Sequence, residues 1–111
     1  MKIRAKNGEQ TVDITLPATD MDIQYCMKCI GIEDIVPVCC ISEVRDEPSY
    51  FGFLKGQTVN MDELNFFARR LDGMTEYEKR VVGVYSSETG MREMKQLINL
   101  TSVSYTHLRA H

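Results

Sequence analysis

The stretch TVDITLPATDMDIQYCMKCIG, residues 11–31, predicts a strand that is followed at once by a helix. Apolar and polar residues alternate in VDITL, as in a strand with one buried face. Thr19 then stands three residues before Asp22, a variant of the capping box that begins many helices. The apolar residues of MDIQYCMKCI recur at helical spacing, and Gly31 follows as a typical residue after a helix C-terminus.

The residues on either side of this stretch add two further strands. KIRA, residues 2–5, pairs with TVDITL across Asn7-Gly8, a dipeptide that accepts positive φ and predicts a type I′ hairpin turn. Downstream, IVPVCCISEV (35–44) is rich in β-branched residues and predicts a third strand with Pro37 near its start. We therefore expect residues 1–58 to form an α+β domain, a small antiparallel sheet with one helix.

The loop after the third strand contains the aromatic residues Tyr50, Phe51 and Phe53. Side chains of this size are usually part of a core. Two alternatives are a short strand over residues 50–53 and an exposed loop that docks another protein. The second alternative would make the chain a small interaction module.

Residues 60–80, NMDELNFFARRLDGMTEYEKR, predict two helix starts in succession. Asn60 with Glu63 and Thr75 with Glu78 each match a capping box, which places carboxylates at the positive end of a helix dipole. Apolar residues at helical spacing indicate three short helices, so we expect a small helical domain over residues 59–101. The stripes are Leu64, Phe67, Ala68 and Leu71 in the first helix, Tyr77, Val81, Val84 and Tyr85 in the second, and Met91, Met94, Leu97 and Ile98 in the third, which would begin at Ser87 or Thr89.

The cysteine spacing raises the question of a metal or redox site. Cys26 and Cys29 form a C-x-x-C pattern, and Cys39 and Cys40 are adjacent. The first pair falls on the predicted helix without a turn between its members, and the second falls in a strand, where neighbouring side chains point to opposite faces. We expect buried, reduced thiols that act as small apolar side chains, with zinc binding as the alternative.

Patterns typical of enzymes do not occur in the sequence. It has no Gly-rich phosphate loop, no G-x-S-x-G and no H-E-x-x-H. Both histidines, His107 and His111, lie in the last ten residues. Glu76 and Glu78 could in principle act as an acid–base pair, but carboxylates at a helix start are far more often caps. We therefore expect no catalytic residue, no metal and no cofactor.

The charge of the chain is distributed unevenly. The net charge is −3, yet residues 9–78 carry 14 carboxylates against 5 basic side chains. Nucleic acid is therefore not expected as a direct ligand, since phosphate binding requires clustered Lys and Arg, and a basic partner fits better. No apolar run is long enough for a bilayer, and MKIRAKNGEQ is not a signal peptide, so we expect a cytoplasmic protein.

Three segments, taken in order, resemble the ArdA family of antirestriction proteins from bacterial mobile elements. They are LPATDMDIQYCMKCIGIED, NMDELNFFARRLDGMTEYEK and MKQLINLT, and together they cover most of residues 12–101. The resemblance implies a protein that imitates B-form DNA and inhibits type I restriction-modification enzymes by occupying their DNA-binding groove. It also implies a homodimer for the full-length protein.

The carboxylates that could represent phosphates follow from this resemblance and from the charge distribution. Such a role requires exposed acids without cationic partners, while the alternative is that they cap helices or keep the surface soluble. The candidates are Asp20, Asp22, Glu33, Asp34, Glu43, Asp46, Glu47, Asp62, Glu63, Asp72, Glu76 and Glu78.

The end of the sequence departs from the family pattern. SVSYTHLRAH, residues 102–111, resembles translated adapter sequence at the end of a gene fragment. We expect a non-native, disordered tail, with a frayed natural terminus as the alternative. The resemblance then implies a truncated chain, because family members continue into a further acidic domain that provides dimer contacts.

Overall fold

The secondary structure follows the predicted alternation of strands and helices. The computed structural model describes residues 1–46, 50–91 and 93–109, and from residue 103 onward it describes the backbone alone. An antiparallel sheet and a set of helices share the chain, which confirms the predicted α+β class. The elements are β1 (Lys2–Asn7), β2 (Gln10–Thr15), α1 (Asp20–Cys29), β3 (Val38–Val44), β4 (Thr58–Asn60), α2 (Met61–Asp72), α3 (Glu76–Glu88) and α4 (Met94–Arg109).

The hairpin forms where the sequence predicts it, with a different turn. Asn7 pairs with Gln10, so Gly8 and Glu9 make a two-residue loop. Gly8 has a φ of 64°, whereas Glu9 does not have positive φ. A type I′ turn needs positive φ at both loop positions, so the type I′ prediction is wrong. Glycine at the first loop position with positive φ is the pattern of a type II′ turn.

A fourth strand extends the sheet beyond the predicted hairpin and third strand. The strand order is β2-β1-β3-β4, and every neighbouring pair is antiparallel. The sequence does not predict β4, because three residues with one buried side chain, Val59, are too short to show an alternation. Residues 52–54 form a 3-10 turn instead of a strand. β4 spans the domain boundary that the sequence places after residue 58.

One face of the sheet is buried and the other is polar. Ile3, Ala5, Ile14 and Ile41 are buried on the inner face, while Arg4 and Asp13 lie on the outer face. Among the helices, α1 contacts β2, α2 contacts β4 and α4, and α3 contacts α4. Among the described residues, the buried apolar side chains of the sheet and of the helices belong to one hydrophobic cluster.

The predicted ends of α1 are confirmed. The Thr19 hydroxyl accepts a hydrogen bond of 3.2 Å from the Asp22 amide. At the other end, Gly31 has a φ of 78° and its amide donates to the Lys28 carbonyl. The Ile32 amide donates to the Met27 carbonyl, which completes a Schellman motif. α1 therefore stops sharply, and the chain turns away at residue 32.

The predicted N-caps of α2 and α3 are also confirmed. The Asn60 side chain accepts from the amides of Asp62 and Glu63. At α3 the capping box is reciprocal: the Glu78 amide donates to the Thr75 hydroxyl at 3.2 Å, and the Thr75 amide donates to the Glu78 carboxylate at 3.0 Å. These local signals fix where both helices begin.

The orientation of α3 differs from what its apolar stripe suggests. Tyr77, Val84 and Tyr85 are exposed, whereas Val82 and Gly83 are buried. Because Gly83 has no side chain, α3 can lie close to the backbone at Tyr50. The side of α3 that contains Gly83 therefore faces the core. We refer to Tyr77, Val84 and Tyr85 as the outer face of α3.

The last helix begins later than the sequence predicts. Ser87 and Thr89 do not start it, because Ser87 lies in α3 and Thr89 caps its end, with a second Schellman motif at Gly90. The following helix, α4, begins at Met94. Its backbone extends to Arg109, into the segment for which the sequence predicts disorder, and the side chains from residue 103 onward are outside the description.

Candidate functional site

A groove lies between α1, the segment that follows it and the start of α2. Its volume is about 550 Å³, and its lining comes from α1 between residues 20 and 28, from residues 32–37 and from α2 between residues 62 and 69. Four candidate acids line it: Asp20, Glu33, Asp34 and Asp62. We call it the α1–α2 groove. It brings together carboxylates that are up to 42 positions apart in the sequence.

One buried amide holds the two helices that form this groove. The Asn65 side chain, 3% exposed, accepts from the Ala18 amide at 2.9 Å and donates to the Ala18 carbonyl at 3.0 Å. Arg69 donates to the same carbonyl at 3.3 Å. The loop before α1 is thus fixed to α2. Sequence analysis missed Asn65, although a polar residue within the apolar face of α2 was the available signal.

The four lining acids differ in whether a helix N-terminus explains their negative charge. Asp20 and Asp62 lie in the first turns of α1 and α2, where a carboxylate is favoured by the helix dipole. Glu33 and Asp34 lie outside any helix or strand and are exposed. Their charge is not explained by a helix terminus, so they are the strongest candidates for contact with a partner.

The groove retains an acidic balance within the described residues. None of its four acids makes an ion pair there. Two basic residues, Lys28 and Arg69, also line it. Because Arg69 already donates to the Ala18 carbonyl, its guanidinium is partly committed to structure.

Apolar side chains lie exposed at the same groove. Ile35 is 99% exposed and Phe66 is 43% exposed, and both line it. The Arg70 guanidinium carbon lies 5.1 Å from the centre of the Phe66 ring, in cation–π contact. Buried residues of α1 and of the following segment complete the apolar part of the lining, namely Ile23, Met27, Ile32 and Pro37.

Three further candidate acids are also free of ion pairs among the described residues but do not line the groove. Asp22 and Asp72 are exposed, and Glu63 is half-buried. Asp22 and Glu63 belong to the same helix starts as Asp20 and Asp62. Asp72 is the last residue of α2. These positions extend the acidic character beyond the groove itself.

The candidate acids at the sheet have cationic partners. Glu43 lies 3.7 Å from Arg4, and Asp46 lies 3.7 Å from the N-terminal amine of Met1 and also accepts from the Lys2 amide. Their charges are therefore compensated within the chain. Glu47, between Asp46 and the next described segment, is outside the described residues.

A further ion network at the sheet involves an acid that was not a candidate. Asp13 accepts from Arg4 at 2.8 Å and from Arg45 at 3.2 Å. The hydrogen bond from Arg4 is the largest effect on the pKa of Asp13, and together with the charges of Arg4 and Arg45 it lowers this pKa despite the opposing effect of desolvation. The charges of Arg4, Asp13 and Arg45 thus compensate one another at the outer face of the sheet.

The two candidate acids at the start of α3 are used locally. Glu76 lies 3.3 Å from Lys79, and the Tyr50 hydroxyl donates to it at 3.5 Å. Glu78 caps α3 through the Thr75 amide. Neither arrangement resembles an acid–base pair poised over a cleft, and a structural role accounts for both.

The cysteines are free thiols and differ in exposure. Cys39 is buried, and burial, with a smaller effect of the neighbouring Cys40, raises its pKa to about 11. Cys26 is half-buried and its pKa is also raised by burial. Cys29 is exposed, so the prediction of four buried thiols is wrong for this residue, which lies on the outer side of α1. Within the described part of the chain, no three His, Cys, Asp or Glu side chains are grouped as ligands of a metal would be.

The aromatic loop contributes to the core. Phe51 is buried and packs edge-to-face on Phe67, with ring centres 5.4 Å apart. Tyr50 and Phe53 are half-buried against the same cluster. This loop therefore offers little free aromatic surface to a partner.

Comparison of the chain with family models, with curated proteins and with solved structures finds no match. None of the helices in residues 1–46, 50–91 and 93–109 combines the length and the apolar character needed to cross a membrane.

Proposed function

We propose that this chain is a partial mimic of DNA charge that occupies the basic DNA-binding groove of a type I restriction-modification enzyme. The observation that supports this most is the α1–α2 groove, where acids from three separate segments lie together without ion pairs among the described residues. The resemblance of three sequence segments to the ArdA family points to the same target.

The physical basis is a match of charge density. Duplex DNA carries about one phosphate charge per 1.7 Å, and a protein that binds it presents Lys and Arg at comparable density. Helices rise about 1.5 Å per residue, so carboxylates at helix starts and in the adjoining segment can occupy a few of those positions. The mimic is partial, because Glu43, Asp46 and Glu76 are compensated within the chain.

The proposal assigns different weight to different acids. Asp20 and Asp62 have a local reason to be acidic, whereas Glu33 and Asp34 do not. Contact with the target should therefore depend most visibly on Glu33 and Asp34. The proposed role needs no catalytic residue or cofactor, and because the proposed target acts on DNA, we expect the two proteins to meet in the cytoplasm.

The proposal is tested by competition with a DNA duplex for a type I methyltransferase core. The chain should displace DNA at low salt, and displacement should weaken steeply as salt rises, because both ligands use the same basic groove. Glu33→Gln combined with Asp34→Asn should weaken competition several-fold, since exposed ion pairs contribute about 0.2–1 kcal/mol each. Glu9→Gln combined with Glu88→Gln, which also removes two exposed carboxylates but outside the groove, is the matched control.

Two results would count against the proposal. One is the absence of competition at low salt. The other is competition that responds equally to the groove double variant and to the control double variant Glu9→Gln with Glu88→Gln, because the effect would then reflect net charge and not the groove.

A protein-interaction module without DNA mimicry is the second candidate function. The exposed Ile35 and Phe66 favour it, in place of the buried aromatic loop around Phe51. Binding through these residues would be insensitive to salt, so the same titration separates the two candidates.

A further inference from the structure

The α1–α2 groove has an apolar part that a mimic of phosphate charges does not need. A surface that only imitates a charged backbone needs outward acids and no apolar concavity. Here Ile35 and Phe66 are exposed over a floor of buried side chains, and Asp34 and Asp62 lie at the same groove. An apolar centre with a charged rim is the usual anatomy of a protein–protein interface.

Isolated exposed apolar residues are common on protein surfaces and need no explanation. Ile35 and Phe66 differ because they come from separate segments and line one concave site. A volume of about 550 Å³ lies within the range of sites that enclose a ligand-sized group, so a few side chains of a partner can enter it.

The charges of the groove indicate which side chains those are. Its carboxylates outnumber its basic residues, so a cationic occupant is favoured. Arginine and lysine combine a cationic head with an aliphatic stem, which can pack on apolar surface while the head reaches an acid. The Arg70 guanidinium lies 5.1 Å from the centre of the Phe66 ring, so this ring already takes part in one cation–π contact within the chain.

We infer that the α1–α2 groove recognises a short segment of the partner protein in which an apolar side chain stands next to arginine or lysine. The apolar side chain and the cationic stems cover Ile35 and Phe66, and the cationic heads pair with Asp34 and Asp62. This inference rests on the proposed function and names the recognition chemistry of the same site. The apolar contact with Ile35 and Phe66 would add a contribution to the binding free energy that salt does not screen.

The test uses the full chain and its Ile35→Ser variant in the competition with DNA for a type I methyltransferase core. Ile35 is fully exposed, so the variant should fold, which circular dichroism and a thermal melt would check. We expect affinity to fall about tenfold at every salt concentration with an unchanged salt slope, because an apolar contact has been removed. Asp34→Asn should instead reduce the slope. Val84→Ser, an exposed apolar residue outside the groove, is the control.

A second measurement separates this inference from the proposed function. The chain is titrated with two synthetic helical peptides of equal positive charge, one with Arg and Leu on one face and the other with Arg and Ser. We expect the Leu peptide to bind about tenfold more tightly, and Ile35→Ser to remove that difference.

The outcomes are distinguishable. If the wild-type chain competes with DNA and Ile35→Ser does so equally well, the inference is overturned and the proposed function stands. If the chain does not compete but distinguishes the peptides through Ile35, the proposed function fails and the chemistry of the groove stands. Equal binding of both peptides overturns the inference.

Discussion

Gly83 shows how a single missing side chain sets the position of a helix. A Cβ at this residue would lie 2.6 Å from the Tyr50 carbonyl oxygen and 2.7 Å from the Tyr50 Cβ. Gly83→Ala should therefore lower the free energy of unfolding by about 1–3 kcal/mol, although alanine is the better helix former. Urea unfolding measures the change.

Gly73→Ala is the matched control for this prediction. Gly73 caps α2 with a φ of −85°, and a Cβ there would meet only the Arg70 carbonyl at 3.8 Å. Stability should stay within about 1 kcal/mol of wild type. If both variants behave alike, close approach of α3 to Tyr50 is not the reason for Gly83.

Asn65 determines how the groove is held together. Its replacement by alanine leaves the Ala18 amide without its partner and removes one of two donors to the Ala18 carbonyl. We expect a loss of about 2–3 kcal/mol in the free energy of unfolding, because a buried polar contact is broken. Asn99→Ala, at an exposed position of α4, should change it by less than about 0.5 kcal/mol.

These residues also show what sequence can predict. Thr19, Asn60 and Thr75 were identified as caps because a cap and the amides that donate to it lie within three residues of one another. Gly83 and Asn65 act through Tyr50 and Ala18, which are distant in sequence. No local pattern contains those partners, so their roles appear only in the folded chain.

Among the elements, the outer face of the sheet has the clearest dependence on pH. Arg4 lowers the pKa of Asp13, so this ion network contributes stability above the ordinary aspartate pKa of about 4, and loses it as the pH falls through the lowered value. Asp13→Asn should lower the melting temperature at neutral pH. The variant should also show a smaller fall in melting temperature than the wild type between about pH 4 and pH 2.

Melting curves recorded across this pH range test the prediction. Glu9→Gln is the control, since Glu9 is exposed in the hairpin turn and has no ion pair among the described residues. An unchanged acid dependence in Asp13→Asn would show that the network contributes nothing to stability.

β4 and α3 show where element prediction reaches its limit. The existence of the other strands and helices follows from periodicity and caps, but β4 is defined only by its pairing with β3. For α3, periodicity located the helix but did not reveal which side faces the core. The buried side is the one whose small residues allow close packing, and this depends on the partner surface.

At the scale of the whole molecule, the helical half and the sheet share one core. Phe67 of α2 packs on Phe51, and the Met61 amide donates to the Pro37 carbonyl at 2.8 Å. The buried apolar residues of both halves form a single cluster. Separation at residue 58 would expose this shared surface.

We therefore expect one cooperative unfolding transition, with equal calorimetric and van't Hoff enthalpies. Differential scanning calorimetry measures both. A peptide of residues 59–101 should lack a cooperative transition, because it loses the contacts of Phe67 and Asn65 with the first half. Two separable transitions, or a folded peptide, would instead indicate independent domains.

The candidate site was predictable in part. The charge distribution and the family resemblance identified Asp20 and Asp62, but the groove that unites them with Glu33 and Asp34 depends on how the fold places three separate segments around it. Sequence also could not separate free acids from compensated ones. The partners of Glu43 and Asp46 are Arg4 and the N-terminal amine, about 40 residues away in the chain.

The outer face of α3 affects how folding of this protein should be monitored. Dyes such as anilinonaphthalene sulfonate become fluorescent on exposed apolar surface, and their signal is commonly taken as a sign of a molten globule. Tyr77, Val84 and Tyr85 offer such surface in the native state. Dye fluorescence from the folded chain is therefore the native baseline, and near-ultraviolet circular dichroism of its tyrosines is the better report of packing.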